Sequence, residues 1–290
     1  MPAVDAHHII ERKKWNDEGY YLDNGASLCE EHHKMAENDI ILPHTLRNYC
    51  GIKNIILPSN FNSNNDYTKW GIVLPRKTNK NIKFPSMLYL PFSPSIAGEV
   101  GVIKNLLKYP CIITIKMDGS NVKLTNKYVA ARNGQQANHK SFDYLKAFHK
   151  IICYKIPEHL IVFGEWLYAK HSIRYTKLKN YLQLFAIFDI KNHMWLAWED
   201  VETMANNLGV ITVPVIKEVK YDYDYELIKD VTKIGADVIA DGHEGLVIRS
   251  MFPFHESQFT IRMMKYVRAN HVQTDIHWSN KPIIRNEVEK

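Results

Sequence analysis

Lys116 closes an apolar run, Cys111-Ile-Ile-Thr-Ile-Lys116, and Met117-Asp118-Gly119 follow at once. An Asp-Gly step turns the chain out of a strand. This lysine is therefore carried on a stiff strand end, where a pocket mouth can receive it. Its amine becomes a nucleophile when deprotonated, a state favoured by desolvation and neighbouring cations. From these residues alone, a surface lysine beside a turn is the competing reading. Arginine can grip a phosphate bidentately, lysine acts as a point charge, and carboxylate oxygens suit Mg²⁺, so charged residues at other strand ends could complete such a site or equally be exposed strand ends. A second group of chemistry-bearing residues lies near the start: His7-His8, Cys29 and His32-His33. Imidazole and thiolate are metal ligands, although a fortuitous His-rich hairpin and helix is also open.

Short β-branched and aromatic runs must position these groups. They occur at Cys111–Lys116, Asn121–Leu124, Tyr128–Arg132, Leu160–Leu167, Tyr181–Ile190, His193–Ala197, Val210–Ile216, Gly245–Arg249 and Thr260–Val267. Helical patterns cover Ala97–Leu107, Phe142–Cys153, Asp200–Leu208 and Tyr225–Ala236. The order is not a regular βαβ alternation, so an α+β fold of antiparallel sheets with flanking helices is expected. The stretch Pro58–Phe84 is rich in Asn, Ser, Lys and Pro and reads as a linker with one strand near Trp70–Leu74. No Gly-rich phosphate loop of either common type is present, so a nucleotide would be held by side chains on strands.

The 290 residues, 46% apolar and 23% charged, exclude a disordered or fibrous chain. No apolar run approaches a membrane span. The start carries acids and histidines in place of a basic, apolar leader, so no export and a cytoplasmic setting are expected. The four scattered cysteines make no disulfide framework. Residues 1–45 hold 4 Lys+Arg against 9 Asp+Glu, while the rest holds 33 against 22. That shift separates a small acidic module from a basic, aromatic-rich main domain compatible with a polyanionic partner.

Lys116-Met-Asp-Gly119 resembles the nucleotidyl-lysine motif KxDG of the covalent nucleotidyltransferases, the superfamily of polynucleotide ligases and messenger-RNA capping enzymes. The remaining superfamily motifs are matched in order by Ala131-Arg132-Asn133-Gly134, Phe163-Gly164-Glu165-Trp166, Phe185-Ala-Ile-Phe188-Asp-Ile190, Glu244-Gly-Leu-Val-Ile-Arg249 and Met264-Lys265-Tyr-Val-Arg268. The run from Gly164 to Ile173, with His271–Trp278, looks most like the ATP-dependent RNA ligases. The resemblance implies an ATP-grasp-like nucleotidyltransferase domain and the following roles. Lys116 is the nucleophile and Lys265 contacts phosphate. Arg132 and Arg249 bind nucleotide, Glu165 binds the ribose and Glu244 binds Mg²⁺ or Mn²⁺. Phe188 stacks on adenine, with Phe185 offering a competing register. The second lysine of the last family motif is missing, and Arg262 and Arg268 flank the place.

His7-His8, Asn24 and Cys29-Glu-Glu-His32-His33 resemble the ββα-metal motif of HNH endonucleases. There His8 would be the general base, Asn24 would brace the hairpin, and His7 with His33 would hold a divalent metal. Cys29 and His32 would fill two of four places of a Zn²⁺ site, in a working nuclease or in a metal-binding remnant that helps grip nucleic acid. The implied organisation is an HNH-like module over 1–45, a linker or adapter over 46–95, an adenylyltransferase ligase domain over 96–278 and a tail over 279–290. The expected activity is ATP-dependent ligation of a 3′-OH to a 5′-phosphate in RNA by a monomer, in RNA repair in a bacterial or phage-infected cell. The alternatives are a DNA ligase, an HNH nuclease whose second domain merely binds nucleic acid, or a binding module on a dead ligase fold.

Overall fold

A computed structural model of the protein describes residues 5–74, 82–132, 137–269 and 282–289. The chain divides into two compact units, residues 1–79 with 254–257, and residues 80–253 with 258–290. The fold is mixed α+β, and no helix among the described residues is long and apolar enough to cross a membrane.

In the first unit, β1 (Asp5–His8) pairs antiparallel with β2 (Gly25–Leu28), and α1 (Glu30–Glu37) follows. Asn24 is fully buried and spans the entry to this hairpin, its side chain accepting from Ile10 N and donating to Ile10 O, each at 2.9 Å. α2 (Pro43–Tyr49) starts on a proline, whose missing N–H costs nothing in a first turn. Ile9, Ala26, Ala36 and Leu46 form the small core. β3 (Asp66–Tyr67) and β4 (Val73–Leu74) make a second hairpin. The strand expected over Trp70–Leu74 shortens to β4 because Gly71 takes a left-handed φ of 80° that ends the extended run.

The second unit runs β5 (Leu88–Tyr89), β6 (Cys111–Lys116), β7 (Ser120–Leu124), β8 (Val129–Ala131), α3 (Asp143–Ile152), β9 (Leu160–Trp166) and β10 (Leu182–Asp189). It continues with β11 (Met194–Trp195), α4 (Trp198–Leu208), β12 (Ile211–Thr212), β13 (Val215–Val219), α5 (Asp224–Ala240) and β14 (Gly245–Ser250). After β15 (Phe254–His255), which belongs to the first unit, come α6 (Phe259–Arg262) and β16 (Met263–Val267).

Two sheets result. One has the order β13-β6-β14-β16-β5, antiparallel but for β16 with β5. The other includes β11-β10-β9-β7-β8, antiparallel throughout, with β12 parallel on β10. Alternation splits the first sheet cleanly. Ile113, Leu246, Ile248, Met264 and Tyr266 form a core with Leu227 and Val231 of α5. Residues of the other parity line a cavity.

Three further expectations change, one of them Val210–Ile216, which breaks before Pro214 into β12 and β13 in different sheets. The helix over Ala97–Leu107 is a single 3₁₀ turn, Ile103–Asn105. Gly98 and Gly101 weaken helix there, and the backbone instead bonds to β5, with Tyr89 N donating to Glu99 O and Gly101 N to Tyr89 O. Thr260–Val267 is a helical turn followed by β16. That turn buries Phe259 and Arg262, the guanidinium lying 3.2 Å above the Tyr109 ring.

Candidate active site

A cavity of about 370 Å³ opens between the sheets of the second unit. Register explains its lining. Gly245 of β14 stands opposite Lys116 of β6, and Val247 opposite both Thr114 and Lys265 of β16. Residues opposite each other share a face, so Thr114, Lys116, Val247 and Lys265 form one patch, which Glu244 joins at the start of β14. Asn121 of β7 faces Glu165 of β9 across the second sheet, and both reach the same space.

The turn after Lys116 is tightly held. Asp118 N donates to Tyr175 Oη at 3.0 Å, and Asp118 Oδ2 accepts from Ser172 N at 2.8 Å and Ile173 N at 2.7 Å. Gly119 N donates to Glu165 Oε1 at 3.1 Å. A Cβ on Gly119 would stand 2.7 Å from Trp166 O, so only glycine lets the turn approach β9 this closely.

Charge is concentrated at the cavity mouth. Lys116 Nζ donates to Glu244 Oε2 at 2.5 Å. Glu165 keeps some surface in the cavity, yet protein encloses its carboxyl. Burial pushes its pKa up to about 8, Lys116 pulling the other way and Glu244 and Asp118 adding to the rise. The carboxyl is thus mostly protonated at neutral pH. Burial also lowers the Lys265 ammonium, helped by Lys116 and Arg132 and opposed by Glu244. That ammonium lies 3.9 Å from the Tyr89 ring centroid. Arg132 is exposed at the rim, donating to Ser86 Oγ at 3.1 Å.

Lys116, Arg132, Glu165, Glu244, Arg249 and Lys265 therefore meet around one space. Arg249 reaches it as part of a wall: its guanidinium donates to the carbonyls of Phe185 at 3.0 Å and Leu196 at 2.8 Å, and its Nε to Ser250 O. Burial lowers its pKa to about 10. Phe188 is fully buried, opposite Trp195 with ring centroids 4.9 Å apart, and does not line the cavity. Phe185 does, because β10 bulges there, between Leu184 opposite Gly164 and Ala186 opposite Phe163. Phe84, Pro85, Met87 and Tyr89 also line it, from the stretch read as adapter. Their legible signal was the alternation of Met87 and Tyr89 ahead of the apolar LPF. Asn133-Gly134 and His271–Trp278 lie outside the described residues.

In the first unit, His7 of β1 and His33 and Glu37 of α1 have ligand atoms within 4.8 Å of one another. Among the described residues no other group of three does so, and Cys29 pairs only with His32, Sγ to Nδ1 at 2.9 Å. His7 is buried, and neither ring nitrogen makes a hydrogen bond. Burial first, then Lys69, lowers its pKa to about 4, leaving a neutral imidazole able to bind a cation. Burial alone would raise the Glu37 carboxyl, but its pair with Lys69 at 2.5 Å outweighs that and holds it below the usual range. Asp5 Oδ2 lies 3.2 Å from His33 Nδ1 and can orient that ring. His8, half-buried, meets the Tyr20 ring edge-on with centroids 6.2 Å apart, and the Arg12 guanidinium lies 4.1 Å from the centroid of that same ring.

The family model described as RNA ligase matches residues 110–267, more than half of the chain. No curated protein matches. Among solved structures, an archaeal ATP-dependent RNA ligase in its form 1 is similar at 16% identity and TM-score 0.46, over 65% of this chain and 49% of that one. A variant of the Naegleria gruberi RNA ligase solved with ATP and Mn is similar at 17% identity and TM-score 0.40, over 59% and 52%. The same ligase with pyrophosphate is similar at 17% and 0.42, over 86% and 72%. The chain spans about half the length of the first of these.

Proposed function

This chain belongs to the RNA ligase family, and from that premise we propose that it is an ATP-dependent RNA ligase joining a 3′-OH to a 5′-phosphate through a lysyl-AMP intermediate. The observation that carries the reading is the Lys116 amine at the mouth of the cavity, paired with Glu244 and facing Lys265. In the first step Lys116 Nζ, having shed its proton, attacks the α-phosphorus of ATP. The N–P bond forms, the bond to the β-phosphate oxygen breaks, and pyrophosphate leaves. AMP then passes to the RNA 5′-phosphate, and the 3′-OH displaces it. Lys265 and Arg132 oppose the negative charge that builds on the phosphate oxygens. Glu165, protonated, can both donate to and accept from a ribose hydroxyl. Phe185 offers the ring for the base, and Arg249 fixes the bulge that aims it.

The carboxylate of Glu244, which lines the cavity beside Lys116, offers hard oxygens of the kind Mg²⁺ or Mn²⁺ takes and is the group we assign as ligand. Such an ion would supply neutralisation of phosphate charge when bound. The test is incubation with ATP labelled at the α- or the γ-phosphate, with labelled GTP beside it. A covalent band from α-labelled ATP only, absent in Lys116→Ala, is expected. No band from fully de-adenylylated protein would refute the reading. Nicked RNA and nicked DNA would then separate RNA ligase from DNA ligase.

For the first unit we propose a divalent-cation site at His7, His33 and Glu37, favoured by the convergence of their ligand atoms and by a buried His7 that makes no hydrogen bond though its Nδ1 lies 3.4 Å from Glu37 Oε1. Mn²⁺ binding followed by electron paramagnetic resonance should be lost in His7→Ala. Metal-dependent cleavage of plasmid DNA, lost in His8→Ala and indifferent to Lys116→Ala, would make that unit a nuclease.

A further inference from the structure

The loop between β9 and β10, residues 167–181, supplies three hydrogen bonds that pin Asp118 beside Lys116, from the amides of Ser172 and Ile173 and to the hydroxyl of Tyr175. This loop is held in turn by residues 284–289. Lys170 N donates to Ile284 O, Asn286 N to Tyr168 O, Glu287 N to Tyr175 O, and Leu178 N to Glu287 O. At the centre is Asn286, a polar residue with no exposed surface. Its Oδ1 accepts from Tyr175 N at 3.0 Å, its Nδ2 donates to Leu167 O at 2.8 Å, and its carbonyl accepts from Tyr181 Oη at 2.9 Å. The side chain thus ties the start of the loop to its middle, the backbone carbonyl takes the Tyr181 hydroxyl at the far end, and the side chain bonds the backbone of the residue whose hydroxyl meets Asp118 N.

Burying an amide side chain costs free energy unless each polar atom finds a partner. Asn286 satisfies that demand wholly on the loop. A surface tail would place a polar residue outward, so the site has been built to hold the loop from behind. Resting on the proposed lysyl-AMP chemistry, we infer that Asn286 is a positioning residue for the first step: it fixes the loop, the loop fixes Asp118, and the turn fixes the line of attack of Lys116. Loss of that grip misplaces the nucleophile and leaves the nucleotide's own contacts in place.

The test compares the protein with Asn286→Ala, with the milder Tyr181→Phe, and with Ile152→Ala, a core change at the end of α3 that lowers stability and removes no hydrogen bond to the loop. All are assayed well below their melting temperatures. In Asn286→Ala the rate of lysyl-AMP formation at saturating ATP should fall about 10- to 100-fold, the scale of a misplaced reacting group. KM for ATP should change less than about twofold. Tyr181→Phe, which frees the Asn286 carbonyl and leaves the side-chain bonds in place, should lie between it and wild type. Hydrogen exchange at the Ser172 and Ile173 amides should quicken in Asn286→Ala and stay slow in Ile152→Ala. Wild-type rate and exchange in Asn286→Ala, or an equal loss in Ile152→Ala, would overturn the inference. If wild type forms no lysyl-AMP, the ligase reading itself has failed; exchange at the two amides then decides the strap alone.

Discussion

Replacing Glu165 by glutamine isolates the most strongly perturbed acid of the cavity. The ordinary glutamate value is 4.5, and enclosure takes Glu165 to about 8. Between those values the folded protein holds a proton that the unfolded chain has released. Stability of the wild type is therefore lost as pH rises from about 4.5 to 8. At about 1.4 kcal/mol for each tenfold in proton affinity, the full loss is roughly 5 kcal/mol. Water entering the open side of the cavity trims it, so about 2 to 5 kcal/mol is expected at pH 8. Glutamine mimics the protonated acid and still accepts from Gly119 N, so Glu165→Gln should be free of this penalty. Urea unfolding of both proteins at pH 5, 6, 7 and 8, on the transition that reports the second unit, measures the gap. The gap should be small at pH 5 and widen steadily to pH 8 in favour of the variant. A gap constant with pH, or a wild type that gains stability over this range, would refute the enclosure of a neutral acid.

Phe185→Ala should raise KM for ATP about tenfold with little change in stability, as lost base stacking is worth about 1 to 3 kcal/mol. Phe188→Ala should cost about 3 to 5 kcal/mol of stability by opening a buried space beside Trp195, read by thermal unfolding. Arg249→Met should weaken ATP binding and lower the melting temperature together, since three carbonyls lose a donor and each buried orphan costs about 1 to 3 kcal/mol. With the His7 ring neutral down to about pH 4, Mn²⁺ affinity in the first unit should not fall between pH 7 and 6 through protonation of that ring. Lys69→Met should raise that affinity by freeing Glu37, as titration followed by electron paramagnetic resonance would show.

The central strands of the sheet that carries Lys116 were legible because they pair with no shift of register, whereas β13 at its edge is irregular between Val215 and Lys217. Residues 111–116, 245–249 and 263–267 form strands that pair in register, and parity alone separates Lys116, Val247 and Lys265 from the apolar residues behind them. The 97–107 segment was not legible. Its apolar spacing suits a helix, but two glycines and a bond partner in β5 decide otherwise, and the partner is distant in sequence from the strand it extends. The role of residues 284–289 was invisible for a related reason. Asn, Glu and Arg in a polar stretch look like a solvated tail, and only the hydrogen bonds to a loop more than 100 residues away make Asn286 a core residue.

The choice between Phe185 and Phe188 shows where a linear reading ends. In an unbroken strand, residues three apart point to opposite faces. Alternation must then assign one phenylalanine to the cavity and the other to the far side. The bulge consumes one residue of β10, so Gln183 stands opposite Glu165 and Phe188 opposite Ile161. Positions 161 and 165 have the same parity on β9, so Phe188 shares the face of Glu165 after all. Parity no longer discriminates; distance along the strand does. Phe185 lies next to the row that holds Glu165, while Phe188 lies further along the strand, where Trp195 covers it. The bulge itself is held by Arg249, whose guanidinium binds the Phe185 carbonyl. An arginine that reads in sequence as a phosphate-binding cation can thus shape the cavity proposed to take the nucleotide through a backbone oxygen, which its loss would leave buried without a partner.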